Sequence, residues 1–368
     1  MIGREVALAA AGLVALFVGL SVVVLSLVWL ERKFLGRLQG RIGPMRVGPF
    51  GLLQPVADAV KLILKEDVVP AWADKGLFWI APILMFVPSF MVWVTIPFSR
   101  DLVIRNLDMG LFYFIAVSVV SVVGLVMAGW SSASKYAILG GLRSAAQLVS
   151  YEIPVIMAVL GVVMLAGSMN LLTVVDKQAS VPYILVQPLG LAVFLIAGVA
   201  EVGRTPFDIY PAESEIVGGP FVEYSGAHWA IFFLAEYINT FVVALLVTLL
   251  FLGGWQWPHL PGVWAPVVVL VKTYLVVMVI FWFRATFPRL RIDQLMAFGW
   301  QVLIPLSFVN IVLTGIQLYY RWPSWSLSLM SLGIILAMAY WQYRTQTAPA
   351  QALARSYSQR AYSQRRGA

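Results

Sequence analysis

The chain has 368 residues, 61% of them apolar and 11% charged, with a formal net charge of +8. A soluble domain carries about 45–50% apolar and about 25% charged residues, so a water-soluble core cannot absorb this surplus, and lipid is the solvent that accepts it. The absence of cysteine excludes disulfides, iron–sulfur ligation and Cys-based zinc sites, and the two histidines, His228 and His259, stand about 45 Å apart along an apolar segment and make no haem pair.

The first apolar stretch, 6–30, is followed by Glu31-Arg32-Lys33 rather than a small-residue cleavage site. It is long enough to cross a bilayer and reads as a membrane helix, not a signal peptide. A basic loop follows, in which Arg32, Lys33, Arg37, Arg41 and Arg46 interleave with Gly36, Gly40, Gly43, Pro44, Gly48 and Pro49. Anchoring to anionic headgroups is its plainest reading. From about 51 to 66, Leu52, Val56, Ala59, Val60, Ile63 and Leu64 share one helical face, while Gln54, Asp58, Lys61 and Lys65 share the other. This segment is too short and too charged to span, so it is expected to lie in the membrane interface, with Asp58 and Lys61 close enough to pair. An interfacial helix beside a basic loop makes a doorway for a lipid-soluble substrate with a polar head.

Eight further stretches qualify as spans: about 77–98, 111–130, 149–168, 183–201, 229–252, 265–286, 301–320 and 325–343. Loops 31–76, 131–148, 202–228 and 284–299, with the tail after 343, hold 19 of the 25 Lys and Arg. Positive charge marks the cytoplasmic side, and the basic tail joins that side only if the number of spans is odd. Nine spans therefore place the N-terminus outside and the C-terminus in the cytoplasm. The reading is an all-α, polytopic membrane helix bundle: a single transmembrane domain over 1–343, with a basic tail over 344–368 that repeats Tyr-Ser-Gln-Arg and is expected to be disordered. Basic charge spread along one membrane face points to lipid and away from nucleic acid.

Carboxylates concentrate late in the chain. Glu201, Asp208, Glu213, Glu215, Glu223 and Glu236 are six of 17 acidic residues, and Glu201 and Glu236 fall at or within apolar spans, as does Glu152. An intramembrane carboxylate costs about 2.5–3.5 kcal/mol on insertion scales and marks an ion or proton path by default. Lys272 lies within the seventh span in the same way. Salt bridges that hold helices together are the alternative, with Arg143, Arg204, Arg284, Arg289 and Arg291 as partners.

Three ordered motifs carry a resemblance. The first runs from Glu31 to Glu66 and includes Gln39-Gly-Arg-Ile-Gly-Pro and Val47-Gly-Pro-Phe-Gly-Leu-Leu-Gln-Pro-Val-Ala-Asp. The second is Arg204-Thr-Pro-Phe-Asp, followed by Ala212-Glu-Ser-Glu-Ile-Val-Gly-Gly and Val222-Glu-Tyr-Ser-Gly; the third is Arg284-Ala-Thr-Phe-Pro-Arg-Leu-Arg-Ile-Asp-Gln-Leu-Met. Over about residues 6–320 the chain resembles the membrane heel component of respiratory complex I, known as the H subunit in bacteria and as subunit 1 in mitochondria. The resemblance implies a subunit of a proton-translocating NADH:quinone oxidoreductase in a bacterial inner membrane, with quinone as substrate. Flavin and iron–sulfur clusters would belong to partner subunits of the hydrophilic arm, and small and antiporter-like membrane subunits would adjoin it. Carried over by motif, the quinone-binding residues are Arg32, Arg37, Arg41, Arg46, Asp58, Lys61, Arg289 and Arg291. The proton-coupling residues are Glu152, Asp208, Glu213, Glu215, Glu223 and Glu236.

The second motif departs from the family pattern. Tyr210 stands where proline is usual, Pro211 where a carboxylate is usual, and Pro220 where a tyrosine is usual. Each proline removes a backbone donor and restricts the loop. Two other readings use the same composition: an anchor of a membrane-bound hydrogenase that binds no quinone, and a stand-alone transporter, for which no inverted repeat is visible.

Overall fold

The computed structural model describes residues 2–210, 213–258, 260 and 262–340. Among them the helices are α1 (Ile2–Leu38), α2 (Gln54–Leu64), α3 (Lys75–Met91), α4 (Gly110–Ser131), α5 (Lys135–Ala166), α6 (Leu171–Lys177), α7 (Tyr183–Val186), α8 (Pro188–Glu201), α9 (Glu213–Ile216), α10 (Gly226–Leu250), α11 (Ala265–Thr286), α12 (Ile292–Phe298) and α13 (Ile304–Tyr319). A last apolar helix, α14, covers Ser324–Tyr340. The described residues contain no strand. His259, Pro211 and the 344–368 tail lie outside them.

Seven helical runs among the described residues are long and apolar enough to cross a membrane: α1, α3, α4, α5, α10, α11 and the continuous 292–319 run, in which a π-helical turn at Gly299–Leu303 joins α12 to α13. The shorter α8 and α14 occupy the fifth and ninth expected spans. The chain is thus a polytopic helical membrane protein, because only helices and closed barrels satisfy every backbone group in lipid.

Three boundaries differ from expectation. Helix α1 runs on through Glu31-Arg32-Lys33 to Leu38, so the first eight residues of the expected loop are helix. Helix α2 fills only Gln54–Leu64 of the expected 51–66. Helix α5 begins at Lys135, not 149. The intervening Ser144 and Gln147 are buried, and the Gln147 amide donates to the carbonyls of Ala200 (2.8 Å) and Phe207 (2.7 Å). A polar stretch that reads as loop is therefore an internal helix turn whose side-chain donors bond to neighbouring backbone carbonyls.

The core is organised around α10, in which every residue from Thr240 to Leu250 is buried, as expected for a helix apolar on all sides. By contrast α1 presents Leu13, Val14, Phe17, Val18 and Val22 outward and packs Leu20, Val24, Leu27 and Val28 inward. Helix α3 is started by Asp74, whose carboxylate accepts from the amides of Gly76 (3.1 Å) and Leu77 (3.4 Å). The loop between α8 and α10 lies against α5 at one very close crossing. A Cβ on Gly140 would sit 2.4 Å from the Cα of Gly219, so that crossing requires glycine. Helix alternation brings the C-terminal ends of α1, α8 and α11 and the N-terminal end of α10 to one membrane face, where the charged residues meet.

Candidate functional site

At that face a buried ion cluster ties four segments together. Glu31 of α1, almost wholly buried, accepts from the Tyr237 hydroxyl of α10 at 2.6 Å and pairs with Arg284 of α11. Arg204, from the loop after α8, lies 3.8 Å from the same carboxylate, 3.3 Å from Glu236 and 4.2 Å above the Tyr237 ring. Burial opposes the Arg204 charge, but Glu236, Tyr237 and Glu31 outweigh it and hold the guanidinium more firmly protonated than usual. A few residues on, Arg289 pairs with Asp208 at 2.8 Å.

These groups surround an open cavity of about 740 Å³. Arg204, Arg284, Arg289, Asp208 and Glu236 supply its charged wall. Trp229 and Phe233, stacked at 5.2 Å, supply an aromatic one. A flat aromatic molecule with polar oxygens matches this lining: rings pack on the aromatic wall while guanidinium donors meet the oxygens.

A second, smaller cavity of about 50 Å³ lies between α3, α4, α5, α8 and α10. Glu152, Glu201, Glu236, Tyr210 and Asn239 contribute its polar lining, and it has room for a few waters. One buried oxygen of Glu152 has no hydrogen-bond partner among the described residues. Glu236 lines both cavities.

The remaining expected residues divide. Asp58 pairs with Arg32 across α1 and α2 at 2.5 Å and accepts from Gln54, so the expected partner Lys61 is displaced and stays exposed. The reason is tertiary: the extension of α1 carries Arg32 over the polar face of α2. Arg37, Arg41, Arg46 and Arg291 are exposed on the same face and form no ion pair among the described residues. Glu215 pairs with Arg143 of α5 at 2.5 Å, and Glu223 is half-buried. Glu213 starts α9, and its side chain lies outside the described residues. Lys272 lies apart from all of these, donating to the carbonyls of Leu252 (2.6 Å) and Gly254 (2.8 Å) beyond the far end of α10.

Sequence reasoning missed Glu31 and Tyr237 as site residues. Glu31 reads as the flank of the first span because Arg32 and Lys33 follow it, and two of its partners, Tyr237 and Arg284, are over 200 residues away in sequence. Tyr237 follows Glu236 in a helix whose apolar run hides it.

Comparison with known proteins gives a consistent result. Residues 11–315 match the NADH dehydrogenase family. The chain is 54% identical over 314 residues to the H subunit of NADH-quinone oxidoreductase from Geobacillus kaustophilus, covering 82% of this chain and 94% of that one. It is 51% identical over 307 residues to the corresponding H subunit of Dehalococcoides mccartyi, covering 83% and 86%. With the H subunit of Bacillus thuringiensis the identity is 53% over 292 residues, covering 78% and 86%.

Proposed function

The chain belongs to the NADH dehydrogenase family, and on that premise we propose that it is the quinone-binding and proton-coupling membrane subunit of a complex I-type NADH:quinone oxidoreductase. The observation that carries this reading is that Glu236 lines both the open charged cavity and the inner carboxylate cavity. A redox event in the first is thereby adjacent to titratable groups in the second.

The quinone ring lies against Trp229 and Phe233, with its oxygens toward Arg204, Arg284 and Arg289. Electrons arrive from an iron–sulfur centre of a hydrophilic-arm subunit, and flavin too belongs to that arm. Two electrons and two protons convert quinone to quinol, and the charge developing on its oxygens is stabilised by the preorganised guanidinium donors. Asp208 and Glu236 are the nearest acids able to supply protons. Losing a proton leaves a charge beside Glu201 and Glu152, and carboxylates this close in a dry site cannot all ionise independently. Proton uptake at the quinone therefore redistributes protons in the inner cavity, and the change of charge there is passed to small and antiporter-like membrane subunits. Glu213, Glu215 and Glu223 belong to the same coupling loop. Arg32, Arg37, Arg41, Arg46, Asp58, Lys61 and Arg291 line the approach from the interfacial helix α2. The protein sits in a bacterial plasma membrane with its N-terminus outside and the charged face in the cytoplasm, as its loop charges favour.

The test is photolabelling of the assembled complex in native membranes with an azido-quinone, followed by peptide mapping. Label on the segments 229–237 and 284–291, competed by unlabelled quinone, is expected. Label confined to partner subunits, or to the lipid-facing side of α1, would overturn the assignment.

A further inference from the structure

Tyr210 is held with unusual tightness for a loop residue. It is buried, and its ring presses on Gly203, where an added Cβ would lie 2.3–2.5 Å from the ring edge and hydroxyl. Gly203 itself adopts φ +70, so two independent reasons keep that position glycine. From the other side Gly219 abuts the Tyr210 carbonyl, and Phe221 meets the ring edge-on at 6.2 Å. Loop and glycines together thrust the phenol into the inner cavity beside Glu152, Glu201 and Glu236. Among the described residues its hydroxyl makes one hydrogen bond, a long one of 3.3 Å to the Val202 carbonyl, leaving its oxygen free to accept.

We propose that the Tyr210 hydroxyl is the bridge over which a proton passes between Glu236, at the quinone cavity, and the Glu152–Glu201 pair of the inner cavity. The inference rests on the proton-coupling reading given above. The Glu236 carboxylate, having passed a proton to the quinone, takes the phenol proton, directly or through one water, while the phenol oxygen accepts a proton from the carboxylic acid of Glu201 or Glu152. One O–H bond forms and one breaks at the phenol, no electron moves, and Glu236 ends protonated with its donor ionised. Burial, reinforced by Glu236 and Asp208 and only partly offset by Arg204, keeps the phenol well above its usual range of ionisation. It therefore serves as a hydroxyl that hands protons on, not as a standing anion. The protein thereby carries a tyrosine relay in the loop where its second motif lacks one carboxylate of the family pattern.

The test compares Tyr210→Phe and Glu236→Gln in the whole complex, reading quinone reduction and proton translocation in inverted vesicles. Tyr210→Phe keeps the ring contacts and removes one oxygen, and about a tenfold or greater fall in proton-coupled turnover is expected, at or below the low end for a lost proton-transfer group because water can partly substitute. Parental behaviour of Tyr210→Phe alongside an impaired Glu236→Gln would overturn the relay and leave the coupling role standing. Parental behaviour of both would overturn the coupling role and the relay with it. A fluorinated tyrosine placed at position 210 supplies a second readout that packing alone would not move, and it decides the matter should the phenylalanine variant not assemble. Its more acidic phenol, lining the same cavity as Glu236, Glu152 and Glu201, is expected to change the solvent deuterium isotope effect on coupled turnover. An unchanged isotope effect would overturn the relay.

Discussion

Replacing Arg204 by leucine tests the ion cluster most severely. Its side chain is only 5% exposed and faces two carboxylates, Glu236 at 3.3 Å and Glu31 at 3.8 Å. With an effective dielectric of about 20 the two attractions amount to about 5 and about 4 kcal/mol before desolvation is counted. Glu31 keeps Arg284 and the Tyr237 hydroxyl, so its loss is largely buffered. Glu236 has no other ion pair among the described residues. The net cost is therefore about 3–5 kcal/mol, the range for breaking a buried pair and stranding one charge. At about 2 °C per kcal/mol, the thermal midpoint of the purified complex is expected to fall by about 6–10 °C. Adding Glu236→Gln to Arg204→Leu removes the stranded charge and is expected to restore a large part of the loss. A midpoint within 1 °C of the parent by the melting assay used (about 0.5 kcal/mol), or no recovery in the double variant, would refute the assignment of Arg204 as the counter-charge of Glu236.

Other expectations follow from single contacts. Gly140→Ala drives a Cβ into the Gly219 backbone and should destabilise by about 3 kcal/mol, the upper range for overpacking, whereas Gly19→Ala meets open space and should be neutral or stabilising; thermal melts of the two complexes check this. Asp58→Asn breaks a pair that is substantially exposed on both sides, so stability should change by less than about 1 kcal/mol. If α2 guards the quinone entrance, the same variant should raise KM for quinone more than it lowers kcat, by steady-state kinetics in membranes. Lys272→Met removes a charged donor from two carbonyls beyond α10, and melts should show a loss of about 1–2 kcal/mol with proton coupling unchanged.

The membrane bundle was legible because apolar windows and breakers are local signals. All nine expected spans have a helix in place, including the short α8 and α14. What escaped depends on distant partners. Residues 135–148 read as loop from Lys135, Arg143 and two glycines, yet the Gln147 amide N–H groups donate to carbonyls more than 50 residues on and the side chain becomes core. The Asp58–Lys61 pair followed from helical spacing, but Arg32 arrives from another helix and takes the carboxylate. The carboxylate-rich region from Glu201 to Glu236 was visible as a composition shift. Its division between two cavities joined at Glu236 was not, because that depends on how the 202–225 loop folds over α5 and α10.

The ratio of protons translocated to quinone reduced, measured in inverted vesicles carrying Glu236→Gln in the assembled complex, tests the coupling role most directly. If Glu236 joins the quinone cavity to the inner carboxylates, the ratio collapses or coupled turnover falls about tenfold or more while the complex still assembles. A parental ratio at a parental rate would contradict the coupling role.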